Sequence, residues 1–148
     1  MSASRMHLRA AKLGDANLLL EWRNEADTRP ASQTTHIVSL EEQKKWLAQV
    51  IADQHRDLYI AEIDGQAIGT VRADKLEHGW ELSWNISSTS RDHSFGKTML
   101  TLILSRLRGT IHARIRDNNF SSNKLTASVG MTLDHEQGGM LNCQLISK

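Results

Sequence analysis

"STSRDHSFGKTMLTLILSRLRG", residues 88–109, sets a short polar run against a strongly amphipathic one. From Phe95 onward, Met99, Leu100, Ile103, Leu104 and Leu107 recur at helical spacing. That spacing predicts a helix with one buried face, closed by Gly109. The run Arg91 to Lys97 that feeds it carries basic residues and a glycine. Two readings fit. The first turn of a helix has unpaired N–H groups and the positive end of the dipole, which together make an anion site. An ordinary strand-to-helix turn explains the same residues, because a single glycine is a weak signal.

Upstream the period changes to two. "DLYIAEIDGQAIGTVRAD" (57–74) reads as two strands joined at Asp64-Gly65, a strong hairpin turn. "GWELSWNIS" (79–87) puts Trp80, Leu82, Trp84 and Ile86 on one face and Glu81, Ser83 and Asn85 on the other. A three-stranded antiparallel meander is expected. Before it, "HLRAA" (7–11) reads as an edge strand. "GDANLLLEWRNE" reads as a helix capped by Asp15, with Leu18, Leu19 and Trp22 on one side. "ADTRPASQTTHIV" lacks a period and holds the one proline, so it reads as a loop. "SLEEQKKWLAQVIAD" opens with Ser39 and Glu42 at capping-box spacing, and Trp46, Leu47, Val50 and Ile51 form its stripe. Downstream, "TIHARIR" (110–116) alternates as a strand. "NNFSSNKLTASVG" reads as a short helix closed by Gly130, and two last strands flank Gly138-Gly139. The order is β-α-α-β-β-β-α-β-α-β-β, an α/β fold whose mixed, mostly antiparallel sheet carries helices on both faces.

Composition narrows the class. At 148 residues the chain reads as a single domain, 1–148, able to bury a core without staples. Eighteen basic residues against seventeen acidic ones leave +1, so nothing draws it to nucleic acid or a membrane surface. One cysteine, Cys143, excludes an internal disulfide and fits a cytoplasmic setting. No apolar run has the length of a signal peptide or a membrane span. The seven histidines show no metal-ligand spacing, so no metal is expected.

The element order, with a polar loop between the fourth strand and the third helix, resembles the GCN5-related N-acetyltransferase (GNAT) superfamily. Its signature, Gln/Arg-x-x-Gly-x-Gly/Ala, is met by Arg91-Asp92-His93-Ser94-Phe95-Gly96, with Ser94 for the first glycine. A second pattern is matched by Asn119, Ser122, Leu125, Gly130 and Met131, where Asn123 stands for an apolar residue and Met131 for Phe. The resemblance implies that acetyl-coenzyme A is the co-substrate. Its pyrophosphate would rest on the loop N–H groups and the helix N-terminus, helped by Arg91 and Lys97 and opposed by Asp92. The cofactor-binding candidates are Ile86, Ser87, Arg91, Asp92, His93, Ser94, Phe95, Gly96, Lys97, Asn119 and Ser122.

The first half is similar to the branch holding amino-sugar N-acetyltransferases of surface-glycan and flagellin-sugar pathways and the ribosomal-protein acetyltransferases. Trp22, Asn24, Arg29, Ile37, Ser39, Glu41 or Glu42, and Trp46 carry that likeness, and Gln43 replaces its usual His. The resemblance makes the first two helices the acceptor wall, with Trp22, Asn24, Arg29, His36 and Trp84 as substrate-binding candidates. The expected acceptor is a small-molecule amine, a nucleotide-linked amino sugar before a protein N-terminus. A non-catalytic coenzyme A-binding module and a homodimer stay open.

Acyl transfer needs a neutral amine, an oxyanion donor and a proton for the thiolate. Glu81, the one carboxylate in its strand, is the candidate base, with a salt-bridged strand glutamate as the plain alternative. The resemblance places an acid tyrosine where Thr126 stands here. Tyr59 reads as structural.

Overall fold

The computed structural model describes residues 5–24, 39–87, 95–117 and 119–147. Its strands are β1 (Met6–Ala10), β2 (Arg56–Ile63), β3 (Gln66–Leu76), β4 (Gly79–Ile86), β5 (Gly109–Arg116), β6 (Thr132–Gln137) and β7 (Met140–Ser147). The helices are α1 (Ala16–Asn24), α2 (Leu40–Ala52), α3 (Phe95–Leu104) and α4 (Phe120–Ser128). The strands form one sheet ordered β1-β2-β3-β4-β5-β7-β6, antiparallel except for β4 beside β5. This is the α/β architecture and element order expected from the periodicities.

Strand alternation sorts the apolar residues into two cores. Ile63, Ile68, Val71, Leu82, Ile111 and Ala113 meet Met99, Leu100 and Ile103 of α3 on one face. Leu58 and Ile60 meet Leu19 and Trp22 of α1 and Leu47 and Val50 of α2 on the other. Each fully buried aliphatic side chain stabilises the fold by about 1.5–3 kcal/mol relative to exposure. The hairpin between β2 and β3 turns at Asp64 (φ 52°) and Gly65 (φ 82°), the two positive φ values that a type I′ turn needs. Helix α4 ends in a Schellman cap: Met131 N–H donates to the Thr126 carbonyl at 3.0 Å and Gly130 N–H to Ala127 at 3.1 Å.

Three local readings change. Helix α3 stops at Leu104, not Gly109. Arg106 N–H turns back to Ile103 and Leu107 N–H to Leu104, tightening the chain out of the helix. Leu107 stays buried, and Gly109 (φ 99°) opens β5. Asp15 ends a 3-10 turn, Leu13–Asp15, ahead of α1. Its carboxylate accepts Lys12 N–H and both terminal Arg9 nitrogens at 2.8 Å each, so it ties β1 down instead of capping α1. On α2 the buried stripe is Gln43, Leu47 and Val50, while Ile51 is 44% exposed. The Ser39 cap is present, with Glu42 N–H on Ser39 Oγ at 3.2 Å. The expected loop at 26–38 lies outside the described residues.

Candidate active site

Strand β4 is paired with β3 along its whole length, from Leu76↔Gly79 to Gly69↔Ile86. With β5 it pairs only at Trp80↔Ile111, Glu81↔His112 and Leu82↔Ala113. Beyond Leu82, β5 follows β7 to Arg116 and no longer pairs with β4. The sheet therefore splits down its middle, toward the C-terminal ends of two parallel strands.

Two glycines frame the split. At its root, Gly79 (φ 141°) leaves room for the Thr110 carbonyl, which any Cβ would strike. At its far end, a Cβ on Gly96 of α3 would sit 3.0 Å from Leu125 Cδ2 of α4 and 3.9 Å from Ile86 Cγ1 of β4. Gly96 thus serves close packing of α3 on α4, a role that the reading as a phosphate-loop glycine did not include. The start of α3, the end of β4 and the first turns of α4 converge there.

The candidates divide by place. Ile86 is half-buried at the end of β4, and Ser87 is buried just beyond it, its N–H on the Ile68 carbonyl at 2.9 Å. Phe95 is buried at the head of α3, with Gly96 and the exposed Lys97 next to it in the first turn. That turn carries the positive end of the helix dipole. Asn119 is the N-cap of α4, its side chain accepting Ser122 N–H at 3.2 Å. Trp84 lies past the last β4–β5 pair, half-buried on the α3 side. Trp22 is 4% exposed, its ring in the α1/α2 core. Its carbonyl accepts Asn85 Nδ2 at 3.3 Å, which pins the end of α1 to β4. Asn24 is the last residue of α1. Arg29, His36, Arg91, Asp92, His93 and Ser94 lie outside the described residues.

Glu81 sits on the α1/α2 side of β4, in the last turn of pairing before the split. Its Oε1 accepts Arg114 Nε at 2.9 Å, and Arg114 is the first β5 residue beyond the paired register. A side-chain bond thus crosses where the backbone ladder stops. Across β3, Asp74 faces Glu81 in register and is held by Arg72 Nε at 3.2 Å. Strand alternation sets His112, Arg114 and Arg116 on this same face. Each carboxylate here has an arginine beside it, and β5 adds a basic row.

Two hydroxyls of α4 are given to backbone carbonyls. Thr126 is 2% exposed and donates to the Asn123 carbonyl at 3.0 Å. Ser128 donates to Leu125 at 2.6 Å. Tyr59 lies under the Arg106 guanidinium, 5.1 Å from ring centre, at the foot of α3. The sequence reading missed Arg114, Asn85 and Asn123. The alternation of "HARIR" already held a signal for Arg114, since it puts charge on every second residue.

Away from the split, the Asp15 carboxyl is held below the usual carboxylate range, chiefly by its bonds to Arg9. Among the described residues no group of His, Cys, Asp and Glu could hold a metal ion.

Comparison with known proteins identifies this architecture. A search of curated protein sequences finds no match. Spermidine N-acetyltransferase from Vibrio cholerae, solved with CoA and spermine, superposes with a TM-score of 0.86 at 16% identity, covering 97% of this chain and 96% of that one. RimJ of Mycobacterium smegmatis, in complex with CoA-disulfide, gives 0.82 at 17% identity over 96% and 82%. A ribosomal-protein-alanine N-acetyltransferase from Brucella melitensis gives 0.78 at 26% identity over 95% and 99%. The acetyltransferase (GNAT) domain family matches residues 8–142, and the chain belongs to that family.

Proposed function

We propose that this protein transfers the acetyl group of acetyl-coenzyme A to a primary amine, with a nucleotide-linked amino sugar as the favoured acceptor. The split between β4 and β5 carries the reading. It leaves β4 beyond Leu82 without a neighbouring strand on one edge, beginning at Ser83 and Trp84, so an extended amide-bearing arm can lie there as a strand would. The first turn of α3, with Lys97 and the Arg91–Ser94 segment, receives the pyrophosphate. Asn119 and Ser122 on α4 complete the cradle. Structural relatives solved with CoA or CoA-disulfide support coenzyme A as the ligand.

In the reaction the amine nitrogen bonds to the acetyl carbonyl carbon and the carbon–sulfur bond breaks. Glu81 takes the amine proton, directly or through water. Its Oε1 is engaged by Arg114, and the described residues give Oε2 no partner. With the Thr126 and Ser128 hydroxyls given to backbone carbonyls, the departing thiolate takes its proton from solvent.

The acceptor is argued from charge. A polyamine needs open carboxylates, whereas Glu81 and Asp74 each face an arginine. His112, Arg114, Arg116 and the candidate Arg29 suit a phosphate-bearing amine. Trp84 and Asn24 border that acceptor, His36 with them, and Trp22 supports the wall from behind. The 26% identity with the Brucella enzyme favours protein N-terminal acetylation as the second reading. The proposed setting is cytoplasmic, and no helix among the described residues is long and apolar enough to cross a membrane.

A thiol-release assay with acetyl-coenzyme A tests the whole. The panel is a nucleotide-linked amino sugar, the free sugar, spermidine and a peptide with a free N-terminal alanine. Preference for the linked sugar, with its KM raised roughly ten- to a hundred-fold by Arg29→Ala, is the expected result. Equal rates on free and linked sugar would remove the phosphate grip, and preference for the peptide selects the second reading. Coenzyme binding without thiol release from any amine would leave a binding module.

A further inference from the structure

We propose that Asn123 is a positioning residue for the coenzyme, acting by locking the first turn of α4 to the exit of β5. Its Nδ2 donates to the Arg116 carbonyl at 3.3 Å and to the Asp117 carbonyl at 3.4 Å. The Arg116 carbonyl also takes Asn119 N–H at 3.0 Å. These carbonyls lie where the chain leaves β5, at and just after its last pair with β7, Arg116↔Met140. One side chain therefore fixes how α4 stands against the strand that has just parted from β4. Asn119 and Ser122 ride on that same turn, and Leu125 follows it into contact with Gly96 and Ile86.

Stability does not account for this residue. Both bonds are long, and holding them fixes Oδ1 on the far side of the amide. There it is buried without a donor. A buried acceptor left unpaired offsets what two weak bonds contribute. What Asn123 supplies is geometry: the direction in which α4 presents its first turn to the split.

The inference rests on the coenzyme lying between β4 and β5, and its test separates the two. Acetyl-coenzyme A affinity is measured by calorimetry for the wild type, Asn123→Ala, Asn123→Asp and, as a site control, Gly96→Val. Asn123→Ala removes the amide without burying a charge, and Asn123→Asp keeps the size but loses both donors. Melting temperatures are recorded alongside, and the comparison uses whichever Asn123 variant keeps that of the wild type. The expected result is binding about ten-fold weaker at unchanged melting temperature, a loss that a purely structural role would not produce. Wild-type affinity in that variant, with binding lost in Gly96→Val, overturns the role of Asn123 and leaves the site in place. Lower melting temperatures in both Asn123 variants would also overturn it, by making the residue structural. Normal binding by Gly96→Val refutes the placement of the coenzyme itself.

Discussion

Along its β3 edge, β4 keeps its register from Gly79 to Ile86; along its β5 edge the register ends at Leu82. The same eight residues thus face a finished ladder on one side and an open one on the other. The closed edge is antiparallel and follows from local hairpin chemistry. The open edge is parallel and reached through α3, so its geometry is set by packing at both ends: Gly79 against Thr110 at the root, Gly96 against Leu125 at the tip. Past Leu82 that edge of β4 has no neighbouring strand, which leaves room for an extended ligand beside it. The proposed chemistry lies where the two edges differ.

Replacing Glu81 tests whether the end of the ladder is also the catalytic point. Glu81→Gln is expected to lower kcat by about 10²–10⁴-fold and flatten the acid limb of the pH–rate profile, with acetyl-coenzyme A affinity retained. An unchanged profile would reduce Glu81 to the partner of Arg114.

The root of the split is probed by Gly79→Ala beside Gly65→Ala. Both positions have positive φ, but a Cβ at Gly65 meets open space and one at Gly79 meets a carbonyl. Urea unfolding is expected to show about 1 kcal/mol lost at Gly65 from backbone strain. At Gly79 the loss is expected at about 3 kcal/mol or more, because steric displacement adds to the strain. Equal losses would mean that β4 and β5 need no close approach at their root.

A third measurement moves to the completed edge of the sheet, where β1 pairs with β2 throughout. There Arg9 joins Asp15 and Glu62 at 2.8 Å. Asp15→Asn is expected to cost about 1–2 kcal/mol at neutral pH. Because the folded state lowers the Asp15 pKa, the carboxylate stabilises the fold above its unfolded value and stops doing so as pH falls through the lowered one. The gap between wild type and variant should therefore begin to close below about pH 4 and go on shrinking as acid rises. A gap that does not change with pH would detach it from the Arg9 pair. Smallest of all is Arg114→Ala. Its bond to Glu81 is half-exposed, so a loss under about 1 kcal/mol is expected in the same urea assay. A larger loss would make that bond, and not the glycine contacts, what holds the strands at their parting.

How far the sequence foretold this depends on the range of each interaction. The meander, the α3 stripe and the caps at Ser39 and Gly130 are local: period, turn residue and spacing lie within a few positions of one another. The two patterns centred on Gly96 and Asn119 were legible as family marks. Whether a strand pair opens halfway is not a local property, so nothing in "GWELSWNIS" marks Leu82 as its last paired residue. Arg114 reaches Glu81 across 33 positions, and Asn85 reaches Trp22 across 63. Asn123 looked like an imperfect match to an apolar position, because its partners are carbonyls that only the β5 exit exposes. Asp15 looked like a helix cap because Arg9 was invisible as its partner.

The pairing of β1 carries a consequence for how the protein is made. Arg9 meets Glu62 across 53 positions, so β1 leaves the ribosome long before the strand that receives it. At about 5–20 residues per second, it waits roughly three to ten seconds for its pairing partner, and its Met6 and Leu8 side chains wait longer still, for α3 to cover them. The two short helices that follow can begin to fold in that interval, but their core needs Leu58 and Ile60 of β2. Nascent chains stalled before and after residue 63 should differ sharply in resistance to protease at β1. If they do not, β1 finds temporary shelter before β2 arrives.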